Sequence, residues 1–338
     1  MERNKEKNKE KKKRNPVKVL VTIVLVLVGI FAGLFVFHRV KHSLDMKFLA
    51  KKGYYNPVSI GDYSLNVVKF GYEEGRGKIV VLSGMGAGMA VDLRTMARNM
   101  EDDYQFIYIG RTGWDGSDDV HDDRNVDVIV EEYRKALKAS GVETPVILMA
   151  HSMGGTYASY WANKYPEEVE AFVNIDGTYV EPMTEEEMVE SPPDNTLYKL
   201  AIEFGIFDIM VPLFYENELN LPKDEWRAYC ILQLLSISSD AVAAESAAIN
   251  RNRNATWESL QESNVPKLYI SARDADLQDP ESRYANEHEL IPYLEKMGGD
   301  YTIDYCPGSH FIYRTNPGRC EASIRCFLEL YEKKAMYE

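Results

Sequence analysis

The segment VILMAHSMGGTYA, Val146 to Ala158, offers a serine that could act as a nucleophile. An apolar run reads as a buried strand, small residues follow, and a helical stretch begins at Met153. Ser152 stands at the apex, flanked by His151 and Met153, with Ala150 two residues before it and Gly154 and Gly155 after it. A sharp strand-to-helix turn strains the apical backbone. It needs small residues two positions to either side, so that strand and helix can pack closely. The plainer reading is a glycine-rich turn with an idle serine. A serine hydroxyl becomes a useful nucleophile only when a base takes its proton and a carboxylate orients that base. The remainder of the chain must therefore bring a His and an acid to Ser152.

The elements that could do so alternate along the body of the chain. Strand candidates are Leu65–Phe70, Lys78–Leu82, Phe106–Ile109, Val146–Ala150, Ala171–Ile175, Lys267–Ile270 and Tyr301–Tyr305. Helix candidates are Ala90–Met100, Val126–Ala139, Met153–Lys164, Pro280–Met297 and Pro317–Lys334. Several strands are apolar throughout, as in a parallel sheet covered on both faces. The pattern predicts an α/β class fold, a doubly wound, mostly parallel sheet. Between Gly177 and Val265 the alternation stops, and stretches such as Trp226–Ser236 and Ala241–Ile249 read as a helical insertion. No internal repeat is visible.

With the serine set between strand and helix, the chain resembles the α/β-hydrolases over roughly residues 60–335, interrupted by the insertion. The match to their G-x-S-x-G elbow departs only at Ala150, one methyl larger than glycine. The resemblance implies the order serine, acid, histidine. His310, in CPGSHFIYRTNPG after the last strand candidate, occupies the family's histidine position; His288, in NEHELIPYL, falls within a helix candidate. The family's D-x-x-x-P acid is matched by Asp276 with Pro280, with Asp274 as second choice. Asp176, at the end of the Ala171–Ile175 strand, is a third candidate, because some hydrolases carry the acid there; its plainer reading is a loop Asp beside Gly177. The loop Ser83-Gly84-Met85-Gly86-Ala87-Gly88 resembles His-Gly-x-Gly with Ser for His. The resemblance implies that the amides of Met85 and Met153 form the oxyanion hole. This loop lacks the Lys-Ser/Thr ending of a P-loop and the spacing of a dinucleotide fingerprint. Gly110-Arg111-Thr112-Gly113-Trp114-Asp115-Gly116-Ser117 resembles the family's Asp-Arg-x-Gly-x-Gly-x-Ser segment, whose role is to pack the loop beneath the nucleophile.

The amino-terminal segment bears on location. Of the 338 residues, 39 are Lys or Arg and 53 Asp or Glu, a formal net charge of −14. The sum joins two unlike parts. Residues 1–18 hold nine basic and three acidic side chains, and the remainder 30 and 50. Between Lys18 and Arg39 there is no charged residue. That length spans a hydrocarbon core as a helix, and it exceeds the apolar region of a cleavable signal peptide. The expected organisation is a basic cytoplasmic tail (1–16), a transmembrane signal-anchor helix (17–38), a linker (39–59) and a hydrolase domain (60–338) with a helical cap at about 178–262. Basic residues before the span keep the tail in the cytoplasm, and the body then lies outside it at the cell membrane. The overall composition, 45% hydrophobic and 27% charged, is globular and excludes collagen-like, low-complexity and disordered classes. Cys230, Cys306, Cys320 and Cys326 match no metal spacing, and Cys320 and Cys326 fall on opposite faces of one helix.

The expected function is hydrolysis of an ester, thioester or amide through a Ser152–His310–Asp acyl-enzyme mechanism, most of all a carboxylesterase- or lipase-like activity on a small or lipophilic acyl substrate. No cofactor, no metal and no nucleic-acid partner is expected; the partners are the acyl substrate and the membrane. Cap residues Phe204, Ile206, Phe207, Met210, Leu213, Phe214, Tyr215, Trp226 and Leu234 would either line an acyl pocket or pack the cap onto the sheet. Two other readings are an aminopeptidase of the proline iminopeptidase type, its cap acids binding an amine, and a membrane-anchored ligand-sensing module with little turnover.

Overall fold

In the computed structural model the described residues are 15–120, 123–189, 191–273 and 290–337. Their centre is an eight-stranded sheet of order β1-β2-β4-β3-β5-β6-β7-β8. The strands are β1 (Pro57–Ser59), β2 (Ser64–Gly71), β3 (Gly77–Leu82), β4 (Tyr104–Ile109), β5 (Val146–Ser152), β6 (Val169–Gly177), β7 (Lys267–Arg273) and β8 (Tyr301–Pro307). The pairs β1–β2 and β2–β4 are antiparallel, and all others are parallel. Every expected strand is present, each extended by one to three residues at one or both ends; only the short β1 is additional.

The apolar runs are explained by burial on both faces. In β3 and β5 the residues Val80, Leu82, Leu148 and Ala150 point into one core, and Ile79, Val81, Ile147 and Met149 into the other. The first core is covered by α4 (Val126–Ala139) and α5 (Gly154–Lys164), the second by short helices α2 (Met89–Asp92) and α3 (Arg94–Ala97). The single helix expected over Ala90–Met100 is thus two four-residue helices followed by a 3₁₀ turn at Arg98–Met100. Between β6 and β7 lie α6 (Thr196–Glu203), α7 (Ile206–Phe214), α8 (Lys223–Ser236), α9 (Asp240–Ala247) and α10 (Ile249–Ser259), helical as expected of the insertion. The chain closes with α11 (described over 290–297), β8, α12 (Ile312–Thr315) and α13 (Pro317–Tyr337). Cys320 is buried and Cys326 exposed on α13, the two faces their spacing implies, and all four thiols are free.

Helix α1 (Pro16–Lys52) is 37 residues long. It starts at an Asn15 cap whose side chain accepts from Val17 N and ends at Gly53 in the left-handed region, φ 80°. It therefore runs unbroken through most of the segment expected as a linker. Its apolar part is exposed, and it is long and apolar enough to cross a membrane.

The carboxyl ends of β3, β5, β6 and β8 share one edge of the sheet. In-register pairs such as Leu82 with Ala150 and His151 with Ile175 align them. In parallel α/β sheets this edge is where ligands bind.

Candidate active site

Ser152 is the last residue of β5 and sits in the left-handed region at φ 53°, a strained conformation for a residue with a side chain. The register of β5 against β6 shifts between His151 and Ser152, and Ser152 O accepts from Thr178 N at 2.8 Å. The turn closes only because its neighbours lack side chains. A Cβ at Gly154 would lie 2.0 Å from Leu82 O, one at Gly155 2.8 Å from Thr178 N, and one at Gly84 2.5 Å from Ser152 Cβ. Ala150 is fully buried, and its methyl is accommodated in the core. Ser152 thus stands at the mouth of α5, whose amino end favours negative charge.

His310 follows β8 and reaches across β7 toward β6. Its Nδ1 donates to Asp176 Oδ2 at 2.7 Å. The second carboxylate oxygen, Oδ1, accepts the Ala272 amide of β7 at 2.8 Å. Asp176 is itself in the left-handed region, φ 46°, so the end of β6 curls to present it. Among the described residues, the acid that meets His310 is therefore Asp176 of β6, the third candidate of the sequence; the family pattern places Asp276 or Asp274 on the loop after β7. Asp274 and Asp276, like His288, lie outside the described residues.

His151, unassigned by the sequence, is buried beside the pair. Its ring centroid is 4.6 Å from that of His310, and its Nε2 donates to the His310 carbonyl at 3.0 Å. Burial lowers its pKa to about 4, so it is neutral at pH 7. A histidine that must stay neutral when folded but takes a proton when unfolded withdraws stability as pH falls from about 6.5 toward 4, by about 3 kcal/mol in all. Buried Asp115 acts in the opposite sense, since burial lifts its carboxyl to about 6 and its protonation relieves the folded state. The two nearly offset, so the term is read by difference. Subtracting the stability of His151→Gln from that of the natural chain, by urea unfolding across this range, is expected to give a difference that falls with decreasing pH. A flat difference would mean that His151 protonates freely in the fold.

The loop Ser83–Gly88 is held from behind by Arg111, a fully buried side chain. Arg111 Nη1 donates to Ser83 O and Ser83 Oγ, each at 2.8 Å, and Nη2 to Gly84 O at 2.9 Å. In a trans peptide the C=O and the following N–H point in opposite directions. With the Gly84 carbonyl turned to Arg111, the Met85 amide is turned away from Arg111. Arg111 Nε is paired with Glu245 Oε1 of α9 at 2.8 Å. Glu245 also accepts Tyr157 Oη at 2.7 Å and Trp114 Nε1 at 3.0 Å. Burial opposes both charges, yet their attraction prevails: Arg111 stays well above its ordinary pKa and Glu245 below its own. The Arg111 segment thus packs behind the loop that lies against Ser152, whereas Glu245 was missed. Its only signal is a lone carboxylate in the small-residue run AVAAESAA.

Ser152, His310, Gly84 and Met85 line one cavity of about 340 Å³. Helix α8 contributes Tyr229 and Gln233, and Gln233 Nε2 donates to Ala87 O at 2.8 Å. Arg314, held by Asp92, and Phe311 complete the wall. The apolar residues of α6 and α7 are not in this wall; most are exposed on the outside of the cap. A larger depression of about 800 Å³, along Lys267, Tyr301 and Cys326, shares no lining residue with it.

Comparison with known proteins places this geometry. Residues 78–200 match the family model described as the alpha/beta hydrolase fold. The uncharacterized protein YbdG of Bacillus subtilis (strain 168) is 35% identical over 144 residues, which are 42% of this chain and 42% of that protein. The match thus spans less than half of the relative's length. Among solved structures, Cfl2 of Burkholderia cenocepacia has a TM-score of 0.60 at 17% identity, covering 81% of this chain and 95% of its own. A thermophilic esterase of Thermogutta terrifontis has 0.56 at 15% identity, covering 82% and 98%. The likeness at these identities is one of fold, and the fold of this chain is the α/β-hydrolase fold.

Proposed function

We propose that this chain is a serine hydrolase that cleaves a carboxylic ester or related acyl bond, with Ser152 as nucleophile, His310 as base and then acid, and Asp176 as the orienting carboxylate. The observation that carries the reading is the 2.7 Å bond from His310 Nδ1 to Asp176 in the cavity that also holds the strained Ser152. Asp176 holds the Nδ1–H tautomer, which leaves Nε2 able to take the serine proton. Ser152 Oγ then bonds to the substrate carbonyl carbon, and the carbonyl π pair moves onto oxygen. The amides of Met85 and Met153 receive that oxyanion, one oriented by the Arg111 grip on the loop and the other at the start of α5. Collapse expels the leaving group, which takes the proton from His310 Nε2. Water repeats the sequence on the acyl-enzyme and restores Ser152. The esterase among the solved neighbours supports an ester as the first class to try.

We further read α1 as a membrane anchor with residues 1–16 in the cytoplasm and the hydrolase outside it. Its exposed apolar residues and the charge-free stretch from Val19 to His38 support this. The test of the catalytic assignment is covalent. A fluorophosphonate probe, which reacts with activated serines, is expected to label the full chain at Ser152 and to leave Ser152→Ala unlabelled. A natural chain that takes no probe under conditions where it is folded would overturn the reading.

A further inference from the structure

We infer that the α6–α7 pair of the cap is itself a bilayer contact, seated in the same leaflet boundary that α1 enters, and that it feeds acyl substrates from the bilayer to the Ser152 cavity. The first clause rests on the anchor reading of α1 above, and the second on the hydrolase reading as well.

Three observations carry it. The first is depth. The corner between α6 and α7 packs on α1 inside its charge-free stretch. The Phe204 and Phe31 rings are 5.0 Å apart, and a Cβ at Gly205 would lie 3.4 Å from Leu34 O. Phe31 is six residues before Phe37, hence about 9 Å inside the apolar part at the helical rise. Interfacial helices bury their apolar face by about 5–10 Å.

The second is charge. Between Thr196 and Tyr215 the only charged side chains are Lys199, Glu203 and Asp208. All three are paired within the protein, Asp208 mostly buried and Glu203 and Lys199 about half-exposed. Asp208 meets His38 Nδ1 at 2.8 Å and Lys41 Nζ at 3.1 Å, Glu203 meets Arg39 at 2.6 Å, and Lys199 meets Asp240. The outer face is left to Leu197, Leu200, Ile209, Leu213 and Phe214, with Leu197, Leu213 and Phe214 at 80%, 68% and 74% exposure. In water so much contiguous apolar surface is unfavourable. Beside the exposed apolar surface of α1 it continues one surface of the same chemistry, which fits a bilayer.

The third is the connection inward. Tyr215, at the end of α7, stacks on Trp226 of α8 with centroids 5.8 Å apart, and Trp226 stacks on Tyr229 at 5.7 Å. Tyr229 lines the cavity of Ser152. A ladder of three near-parallel rings therefore leads from the apolar face to the nucleophile. The substrate class this serves is an acyl ester resident in a bilayer.

The test uses the full chain reconstituted in phosphatidylcholine vesicles, with and without lipid brominated at mid-chain. Tryptophan emission is read as the difference from the natural chain for Phe214→Trp, for Leu27→Trp within α1, and for Tyr72→Trp, an exposed site on β2's far turn. The expected result is that bromine at least halves the added emission at 214 and 27 and leaves 72 unchanged. An unquenched tryptophan at 214 overturns the contact, whatever position 27 shows. For the feeding role, the double variant Leu213→Asp/Phe214→Asp is expected to lose about tenfold or more of its turnover on a vesicle-borne ester, and to keep its rate on a water-soluble short-chain ester within twofold. Equal rates on the vesicle ester, or equal losses on both substrates, overturn that role. Quenching at 214 in a chain that hydrolyses no ester would reject the hydrolase reading and leave the contact standing.

Discussion

Asp176→Asn is expected to lower kcat by about 10³–10⁴-fold with little change in KM or in the fold, while Asp274→Asn and Asp276→Asn stay within about threefold of the natural chain. The asparagine amide can still accept the Ala272 N–H with its oxygen, so the β6–β7 edge keeps that bond. What changes is the face toward His310. The NH₂ group now donates to Nδ1, which moves the imidazole proton to Nε2 and removes the acceptor that Ser152 needs. Kinetics on one soluble ester, with thermal melts of each variant as the check on folding, decide the matter. A collapse of activity in the Asp276 variant with survival in the Asp176 variant would return the acid to the loop after β7.

Glu245→Gln is expected to be the most destabilising single change away from the catalytic residues. It leaves the Arg111 guanidinium fully buried without a countercharge, a change that costs about 3–5 kcal/mol. For a chain of this size that is a fall in Tm of roughly 4–7 °C. Activity at a temperature where the variant remains folded is also expected to fall, because Arg111 sets the Ser83 and Gly84 carbonyls and through them the Met85 amide. The double variant Arg111→Met/Glu245→Leu separates the two effects. Removing both charges is expected to restore much of the lost Tm, since the desolvation penalty disappears with them. The lost kcat stays lost, since the loop has no donor behind it. Recovery of kcat together with Tm would show that the pair serves stability alone.

These two sites also mark what could be read from the chain. Ser152 was legible because its demand is local: the strain at φ 53° is met by Gly154, Gly155 and Ala150, all within three residues. His310 was legible from its place after the last strand. The strands themselves were visible because both faces are buried, which makes β5 apolar at every position but its end. Asp176 could be named but not chosen. Aspartates end or follow both β6 and β7, and the turn of the chain at Asp176, φ 46°, which brings its carboxylate to His310 across β7, has no local sequence signal. Glu245 and His151 were not legible at all. Their partners, Arg111 and the His310 carbonyl, lie 134 and 159 residues away along the chain, and neither pairing has a local pattern. The cap shows the same limit from the other side. Its apolar residues were as visible as those of the core, but composition does not tell a face turned to a pocket from one turned outward.

Helix α1 carries a consequence of a mechanical kind. It runs as one 37-residue rod, about 55 Å at the helical rise, from the charge-free stretch to the cap, with no proline inside it after its first residue. It is clamped to the cap at His38, Lys41 and Asp45. Such a rod transmits azimuth as well as height: one residue added above the clamp would turn everything below it by about 100°, and lift it by only about 1.5 Å. On the anchor reading proposed above, the rod fixes the bearing of the cavity mouth relative to the face of the span that meets lipid, and a substrate search would be a lateral one. On that reading the domain also lacks the tumbling that a flexible stalk would allow.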